Sequence, residues 1–452
     1  TSLIAYRAVQ LMHDAGVPPA ALQLLPGAGD VGATLTSHQA TDGVAFTGST
    51  ETAQIIHKSI ATHLAPGTPF IAETGGLNAM IVDSTALPEQ AVQAIVESAF
   101  QSAGQRCSAL RCLYIQEDIA EAFIDMLTGA MDALALGDPW NYETDIGPAI
   151  DAEARDGIRD YVEAAEAQGR VLHRLSVPPT GTFVPPTLIR VDGIQDMDRE
   201  IFGPVLHVAT FKSTEIDAVI DAINATGYGL TFGLQTRIDD RVQHVSERIE
   251  AGNIYVNRNQ IGAIVGSQPF GGEGLSGTGP KAGGPTYLER FRAHPAQVEA
   301  TNWTSEDTKA RLQTAIASAT PTATRQSESL PGPTGESNVL TSMSRGPILC
   351  LGPGAETAER QAESIQSHGG TAVLAEGSVP AAWLAELDID GAIWWGDTDT
   401  GRAYRAALAQ RSGAILPLVT GLPDKSHACG ERHVCVDTTA SGGNAQLLGG
   451  MS

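Results

Sequence analysis

The sequence predicts an α/β protein built on parallel sheets with crossover helices. Short apolar runs alternate with stretches of helical period from residue 22 to about 270. Glycines and prolines mark the turns between them. The same alternation resumes after residue 345. A chain of 452 residues has room for roughly two to four domains, and 42% hydrophobic content is ordinary for packed cores.

Residues 1–15 carry apolar side chains at 3, 4, 8, 11 and 12, the spacing of one helix face, and the pattern stops before Gly16. Because this pattern opens at the first residue, which is not methionine, a truncated start is expected. Strands are predicted at 22–25, 43–46 and 69–72, with helices near 30–36 and 50–62 between them. Gly27-Ala28-Gly29-Asp30-Val31-Gly32 matches the spacing G-x-G-x-x-G. Asp30 would oppose a phosphate at the helix start and no acidic ribose partner is clearly placed, so a tight turn is the preferred reading.

A second α/β unit follows. Strands are predicted at 78–82, 112–115, 183–189, 205–211, 230–235 and 253–256, with helices at 88–103, 118–133, 152–168, 213–223 and 238–249. Ser, Thr, Pro and Gly crowd residues 303–345, which predicts a linker. Gly346 to Thr357 then reads as a strand and turn leading into helix 355–367, with strands near 371–375, 391–395 and 414–419. This is a small Rossmann-like domain by pattern. Nucleotide binding is not expected there, because Thr357 stands where the third glycine belongs and Glu356 opposes a phosphate.

Twenty-eight basic against 52 acidic residues give a net charge of −24, which repels nucleic acid and anionic membrane. Five cysteines at 107, 112, 350, 429 and 435 show no disulfide framework, and no run of 18 apolar residues or apolar leader occurs. A cytoplasmic location is expected. His427, Cys429, His433 and Cys435 invite a zinc reading, but H-x-C-x3-H-x-C is not a usual finger spacing, so no metal is expected.

The chemistry concentrates in Ser98 to Ala109. Cys107 follows small residues and Gly104 at the end of a helical pattern, where a thiol is presented rather than packed, and Arg106 beside it could favour the thiolate. Glu73, in Phe70-Ile71-Ala72-Glu73-Thr74-Gly75-Gly76-Leu77, ends an apolar run before two glycines and could serve as a base. A lone intracellular cysteine is more often buried for packing than used as a nucleophile. Taken together, in order and spacing, the two stretches resemble the cysteine and glutamate motifs of the aldehyde dehydrogenase superfamily. Glu200-Ile201-Phe202-Gly203-Pro204 resembles that family's nicotinamide ribose and ring contact, and Phe46-Thr47-Gly48-Ser49-Thr50 its pyrophosphate contact. The stretch Gly252 to Gly272, with Gly262 and Ala263, resembles the aldehyde anchor loop of the glutamate semialdehyde dehydrogenases. It is most similar to that of the bifunctional proline utilization A family, and this resemblance runs over essentially the whole chain.

The resemblance implies a partial Rossmann-type NAD-binding domain at 1–74, an α/β catalytic domain at 75–280, a return segment at 281–302 and the linker at 303–345. The Rossmann-like C-terminal domain then spans 346–436, with a C-terminal motif at 437–452. It also implies catalytic roles for Cys107 and Glu73, NAD held by Gly48, Ser49, Thr50, Glu200 and Phe202, and substrate held by Gly262, Ala263 and Ser108. Ala263 stands where monofunctional relatives carry serine. The family's oxyanion asparagine and adenosine-ribose lysine have no counterpart in this chain. L-glutamate 5-semialdehyde is the implied substrate, and a fused flavin-bearing proline dehydrogenase upstream, holding FAD, is the implied partner, in a homo-oligomer. Part of 330–338 resembles an ordered family segment, and Asp437 to Leu448 is expected to dock on the dehydrogenase and help close its tunnel. Two other readings stay open: a dehydrogenase for another aldehyde, and a non-catalytic assembly or lid module.

Overall fold

Every residue of Ala79–Val82 is apolar and buried, and successive side chains of a strand point to opposite faces. Ala79 and Ile81 enter one core with Ile220, Phe232 and Ile254, while Met80 and Val82 enter another with Ile95, Phe100 and Leu113. Such a strand belongs in the middle of a sheet covered on both sides. Helices Ile216–Asn224 and Asp239–Arg248 cover the first face, and Pro88–Phe100 and Ala120–Asp132 the second.

The computed structural model describes residues 2–292, 294–296, 302–321 and 325–439. Its main sheet has ten strands. From one edge they run Gln326–Leu330, Glu336–Ser344, Cys429–Asp437, Asn253–Val256, Thr231–Gln235, Ala79–Val82, Cys112–Gln116, Val205–Phe211, Thr187–Arg190 and Val171–Arg174. Pairing is parallel from Cys429–Asp437 to Thr187–Arg190 and antiparallel at both margins. The α/β class expected from the sequence is therefore present.

A smaller unit precedes it. Val44–Thr47 pairs in parallel with Phe70–Glu73, and helix Thr50–His63 crosses between them. The strand expected at 22–25 is absent there; the segment is irregular, bounded by prolines 18, 19 and 26, and the next element is helix Gly29–Ser37. Gly27 lies in this irregular segment and packs closely on that helix, since a Cβ on it would meet Val31 Cγ2 at 2.3 Å. Helix Ser2–Asp14 forms as its period predicts and leaves Leu3, Ile4, Leu11 and Met12 exposed.

Residues 303–345, expected as a linker, instead hold regular structure. Helix Lys309–Ser318 buries Leu312 and Ile316 in the core of the small domain, and Gln326–Leu330 pairs with Glu336–Ser344 as a hairpin on the main sheet. Turn-forming composition hid both strands, of which Glu336–Ser344 has its second partner, Cys429–Asp437, far along the chain. The small domain's own parallel sheet runs Ala372–Leu374, Ile348–Cys350, Gly391–Ile393 and Leu418–Val419. Its expected boundary at 436 also needs correction: Cys429–Asp437 leaves that sheet and pairs with Asn253–Val256, placing Cys435 opposite Tyr255.

The groups considered for zinc have separate partners on or before this strand. Cys429 Sγ bonds His368 O at 3.2 Å, His433 Nε2 meets Asn338 Oδ1 at 3.1 Å, and Cys435 Sγ accepts from Arg258 Nη1 at 3.3 Å. His427 caps its own short helix against Asp424. Among the described residues no group of three or more His, Cys, Asp and Glu is placed to hold a metal ion. No helix among them is long and apolar enough to cross a membrane. At the start of the C-terminal motif, Thr438 bonds Gly335 O through its N–H (2.8 Å) and Oγ1 (2.9 Å). Residues 440–452, and with them most of the expected docking segment, lie outside the described residues.

Candidate active site

Helix Pro88–Phe100 ends in an abrupt change of backbone hand. Ser102, Ala103 and Gly104 have φ of 57°, 55° and 64°, a left-handed run that costs Ser and Ala about 1 kcal/mol or more each. Surrounding contacts hold it. Gly104 packs so closely on Gly203 that a Cβ would lie 2.1 Å from its carbonyl oxygen. Asn78 Nδ2 donates to Cys107 O (2.7 Å) and Ala109 O (2.9 Å), and its Oδ1 accepts from Thr231 N at 3.1 Å. The loop is thereby fixed with Cys107 half-buried in the wall of a cavity of about 940 Å³.

Burial pushes the Cys107 thiol above its ordinary pKa, and the charges of Glu73 and Glu200 push it further; the backbone N–H groups of Ser108 and Cys107 oppose the shift. The expectation that Arg106 favours the thiolate is corrected. Arg106 Nε is turned back to Ser102 Oγ at 3.0 Å, and the net effect on the thiol is an upward shift caused first by burial.

Glu73 closes strand Phe70–Glu73 and accepts from Gly272 N at 2.9 Å through Oε2. The residue keeps part of its surface open, but Oε1 is buried and without a partner. Gly271 and Gly277 make its seat: a Cβ on either would lie 2.9 or 3.1 Å from the carboxylate. Burial raises its pKa, with Gly272 N–H and Lys281 acting against the rise. Glu73 lies beside the cavity rather than in its lining.

Glu200 and Phe202 line the cavity with Cys107, and Phe202 presents its ring 46% exposed. Sequence reading missed what fixes them. Arg111, wholly buried, donates from Nε (3.1 Å) and Nη2 (2.9 Å) to Glu200 Oε1 and from Nη1 to Gly104 O (2.8 Å) and Gly203 O (3.1 Å). Its guanidinium also lies 5.3 Å from the Phe202 ring centroid. One cation therefore ties the cysteine loop to the 200–203 segment. The available signal was an arginine at the threshold of an apolar strand, where an unpaired charge is costly. Asn78 likewise stands just before a strand, and its carboxamide could not be told from an ordinary loop residue.

On the opposite wall, Ser49 caps helix Thr50–His63 by accepting from Thr52 N at 3.2 Å. Gly48, Ser49 and Thr50 all line the cavity, and the helix start offers backbone N–H groups and the positive end of the dipole. Ser108 and Ala263 line it too. Gly262, at φ 70°, is not in that lining; a Cβ built on it would lie 3.9 Å from Arg106 Nη1.

Known proteins resemble this chain in sequence and fold. The chain is 42% identical over 511 aligned residues to the bifunctional protein PutA of Salmonella typhimurium, covering 99% of this chain and 39% of that protein. A crystal structure of a proline utilization A variant from Bradyrhizobium japonicum aligns at 50% identity and a TM-score of 0.63, over 64% of this chain and 30% of that one. The Thermus 1-pyrroline-5-carboxylate dehydrogenase with bound NAD aligns at 33% identity and a TM-score of 0.60, over 64% of this chain and 57% of that one. The chain thus spans about two fifths of the length of the curated relative it matches. The family model described as "Aldehyde dehydrogenase family" matches residues 1–294, and the chain belongs to the aldehyde dehydrogenase family.

Proposed function

We propose that this chain carries the NAD-dependent oxidation of L-glutamate 5-semialdehyde to L-glutamate, as the dehydrogenase portion of a bifunctional proline-degrading enzyme. The observation that carries the reading is one cavity that brings together Cys107, the Glu200–Phe202 pair and the Ser49-capped helix start. The cavity fits the pyrophosphate and nicotinamide parts of the cofactor: Gly48, Ser49 and Thr50 offer an anion-binding helix terminus, Glu200 a carboxylate acceptor and Phe202 an exposed ring. NAD held by Gly48, Ser49, Thr50, Glu200 and Phe202 would supply the hydride acceptor that aldehyde oxidation requires.

The chain's own groups handle protons and the acyl carbon. Cys107 Sγ, whose proton burial holds on sulfur, gives that proton to water in the cavity and bonds to the aldehyde carbon as the C=O π pair moves to oxygen. The Cys107 N–H supplies one donor toward the oxyanion. In hydrolysis, water oxygen bonds to the thioester carbon, Glu73 takes the water proton, the C–S bond breaks, and the carboxylic acid leaves. Gly262 and Ala263 are assigned to the far end of the substrate, where backbone N–H groups suit an amino-acid carboxylate, with Ser108 beside the nucleophile. The relatives named bifunctional support a fused proline dehydrogenase as supplier of the substrate, and FAD is assigned to that domain alone as part of the same reading. A homo-oligomeric, cytoplasmic enzyme fits the same reading.

The test compares semialdehyde with simple aliphatic aldehydes of similar length as substrates of the enzyme, following NADH. A preference of about 10²-fold or more in kcat/KM for the semialdehyde is expected from loss of the charged-end contacts. Equal rates would assign the cavity to another aldehyde.

A further inference from the structure

Lys281 is among the largest fully buried side chains of the protein. Its ammonium donates to Asn253 Oδ1 at 3.0 Å and to Gly271 O, and no carboxylate lies within ion-pair distance of Nζ among the described residues. A buried ammonium without a paired anion is costly, so something must compensate it.

The carboxylates around it can be taken in turn. Glu273 is engaged by Arg345 at 2.8 Å. Glu431 accepts from the Lys281 backbone N–H (3.1 Å) and from Thr286 Oγ1 (2.8 Å). Only Glu73 keeps a buried oxygen, Oε1, with no partner. The link between Lys281 and Glu73 is a single peptide group: Lys281 donates to the Gly271 carbonyl, and the N–H of the same Gly271–Gly272 peptide donates to Glu73 Oε2 at 2.9 Å. A cation at the carbonyl end of a peptide polarises it, and the N–H becomes a stronger donor to the anion at the other end. Space is reserved for the arrangement, because a Cβ on Gly252 would lie 2.6 Å from Lys281 Nζ and one on Gly271 would lie 2.9 Å from Glu73 Oε1.

Resting on the assignment of Glu73 as the hydrolytic base, we propose that Lys281 is its positioning residue, acting through the Gly271–Gly272 peptide to hold the carboxylate ionised in its buried seat. Around Glu73 stand Cys107, Glu273, Lys281 and Tyr287; around Lys281 stand Glu73, Glu273, Glu431, Arg432 and His433. Glu73 and Lys281 are the two whose opposite shifts, carboxyl up and ammonium down, share burial as their largest cause and each other as an opposing one.

The experiment uses p-nitrophenyl acetate, which acylates the cysteine without any cofactor, so that turnover after the nitrophenolate burst reads acyl-enzyme hydrolysis alone. Hydrolysis is measured from about pH 6 to 10 for the parent, Lys281→Met, Asn253→Asp and Glu73→Gln. Asn253→Asp keeps the lysine but neutralises it in place. Both Lys281→Met and Asn253→Asp should move the rising limb up by about one pH unit or more, slowing hydrolysis about ten-fold near neutrality and closing the gap at alkaline pH. Infrared titration of the Glu73 carboxyl band, assigned by difference with Glu73→Gln, should show the same displacement without turnover. A parent-like midpoint in either variant, with Glu73→Gln slow, would overturn the role of Lys281 alone. Parent-like hydrolysis in Glu73→Gln would instead overturn the assignment of the base. Should Lys281→Met fail to fold, the Asn253→Asp profile and the infrared midpoint decide.

Discussion

At the scale of residues, two cysteines five positions apart have opposite environments. Cys107 sits in the cavity wall and Cys112 is fully buried in the strand that follows. Cys107→Ala should abolish aldehyde oxidation while leaving NAD binding within about two-fold. Cys112→Ala should retain turnover and lose at most about 2 kcal/mol of stability, as a small core truncation does. Steady-state rates and denaturant midpoints separate the two. Glu73→Gln should leave a rapid first turnover of product and slow the following phase, since water activation is the step that lacks its base. Burial raises the Glu73 pKa, so in the parent the slow phase should quicken as pH rises through that raised value, and rapid-mixing traces across pH check the sign.

At the scale of elements, the left-handed turn after Pro88–Phe100 is what turns a helix end into a presented thiol. Gly104→Ala should cost about 2 kcal/mol or more, through its φ of 64° and the collision with Gly203 O, and slow alkylation of Cys107 by iodoacetamide. Gly129→Ala is the contrast. It lies inside helix Ala120–Asp132 with no atom within 4 Å of the new Cβ, and should stabilise by about 0.5–1 kcal/mol. Thermal melts of both variants test the pair. Much of this layer was legible beforehand. Strand Asn253–Val256 and helix Ala355–Ser367 form where their periods place them, because local pattern and tertiary burial agree. The cavity's cysteine and its carboxylate Glu200 were legible as motifs, and Arg111 was not, because its role depends on carbonyls at 104 and 203 that only the fold brings together. The hairpin 326–344 stayed hidden because its strands are polar and turn-rich and carry no periodic signal, and the strand that joins it to the main sheet, Cys429–Asp437, is distant in sequence.

For the whole molecule, acid should act through buried neutral histidines. His207 is fully enclosed, bonded to Tyr161 OH (2.8 Å) and Arg111 O (3.0 Å), and burial lowers its pKa from 6.5 to about 4. The unfolded chain takes up that proton first, so this stabilisation is full above about pH 6.5 and falls by up to about 3 kcal/mol as pH drops toward 4. Glu73 and Glu200, whose carboxyls burial raises, act with the opposite sign. Melting temperature against pH in the parent and in His207→Gln isolates the histidine's share. Ending the chain at residue 345 should likewise be more than the loss of an appended domain. It strips Cys429–Asp437 from the sheet and bares the edge at Asn253–Val256, where Ile254 and Val256 are fully buried, so aggregation at micromolar concentration is expected in light scattering. The same pairing sets an order of events during synthesis. The strands from Ala79 to Val256 leave the ribosome long before Cys429–Asp437, and while the rest of the chain is being made their parallel edge has no native neighbour. Until then the helices cover the two faces of the nascent sheet and leave this edge open.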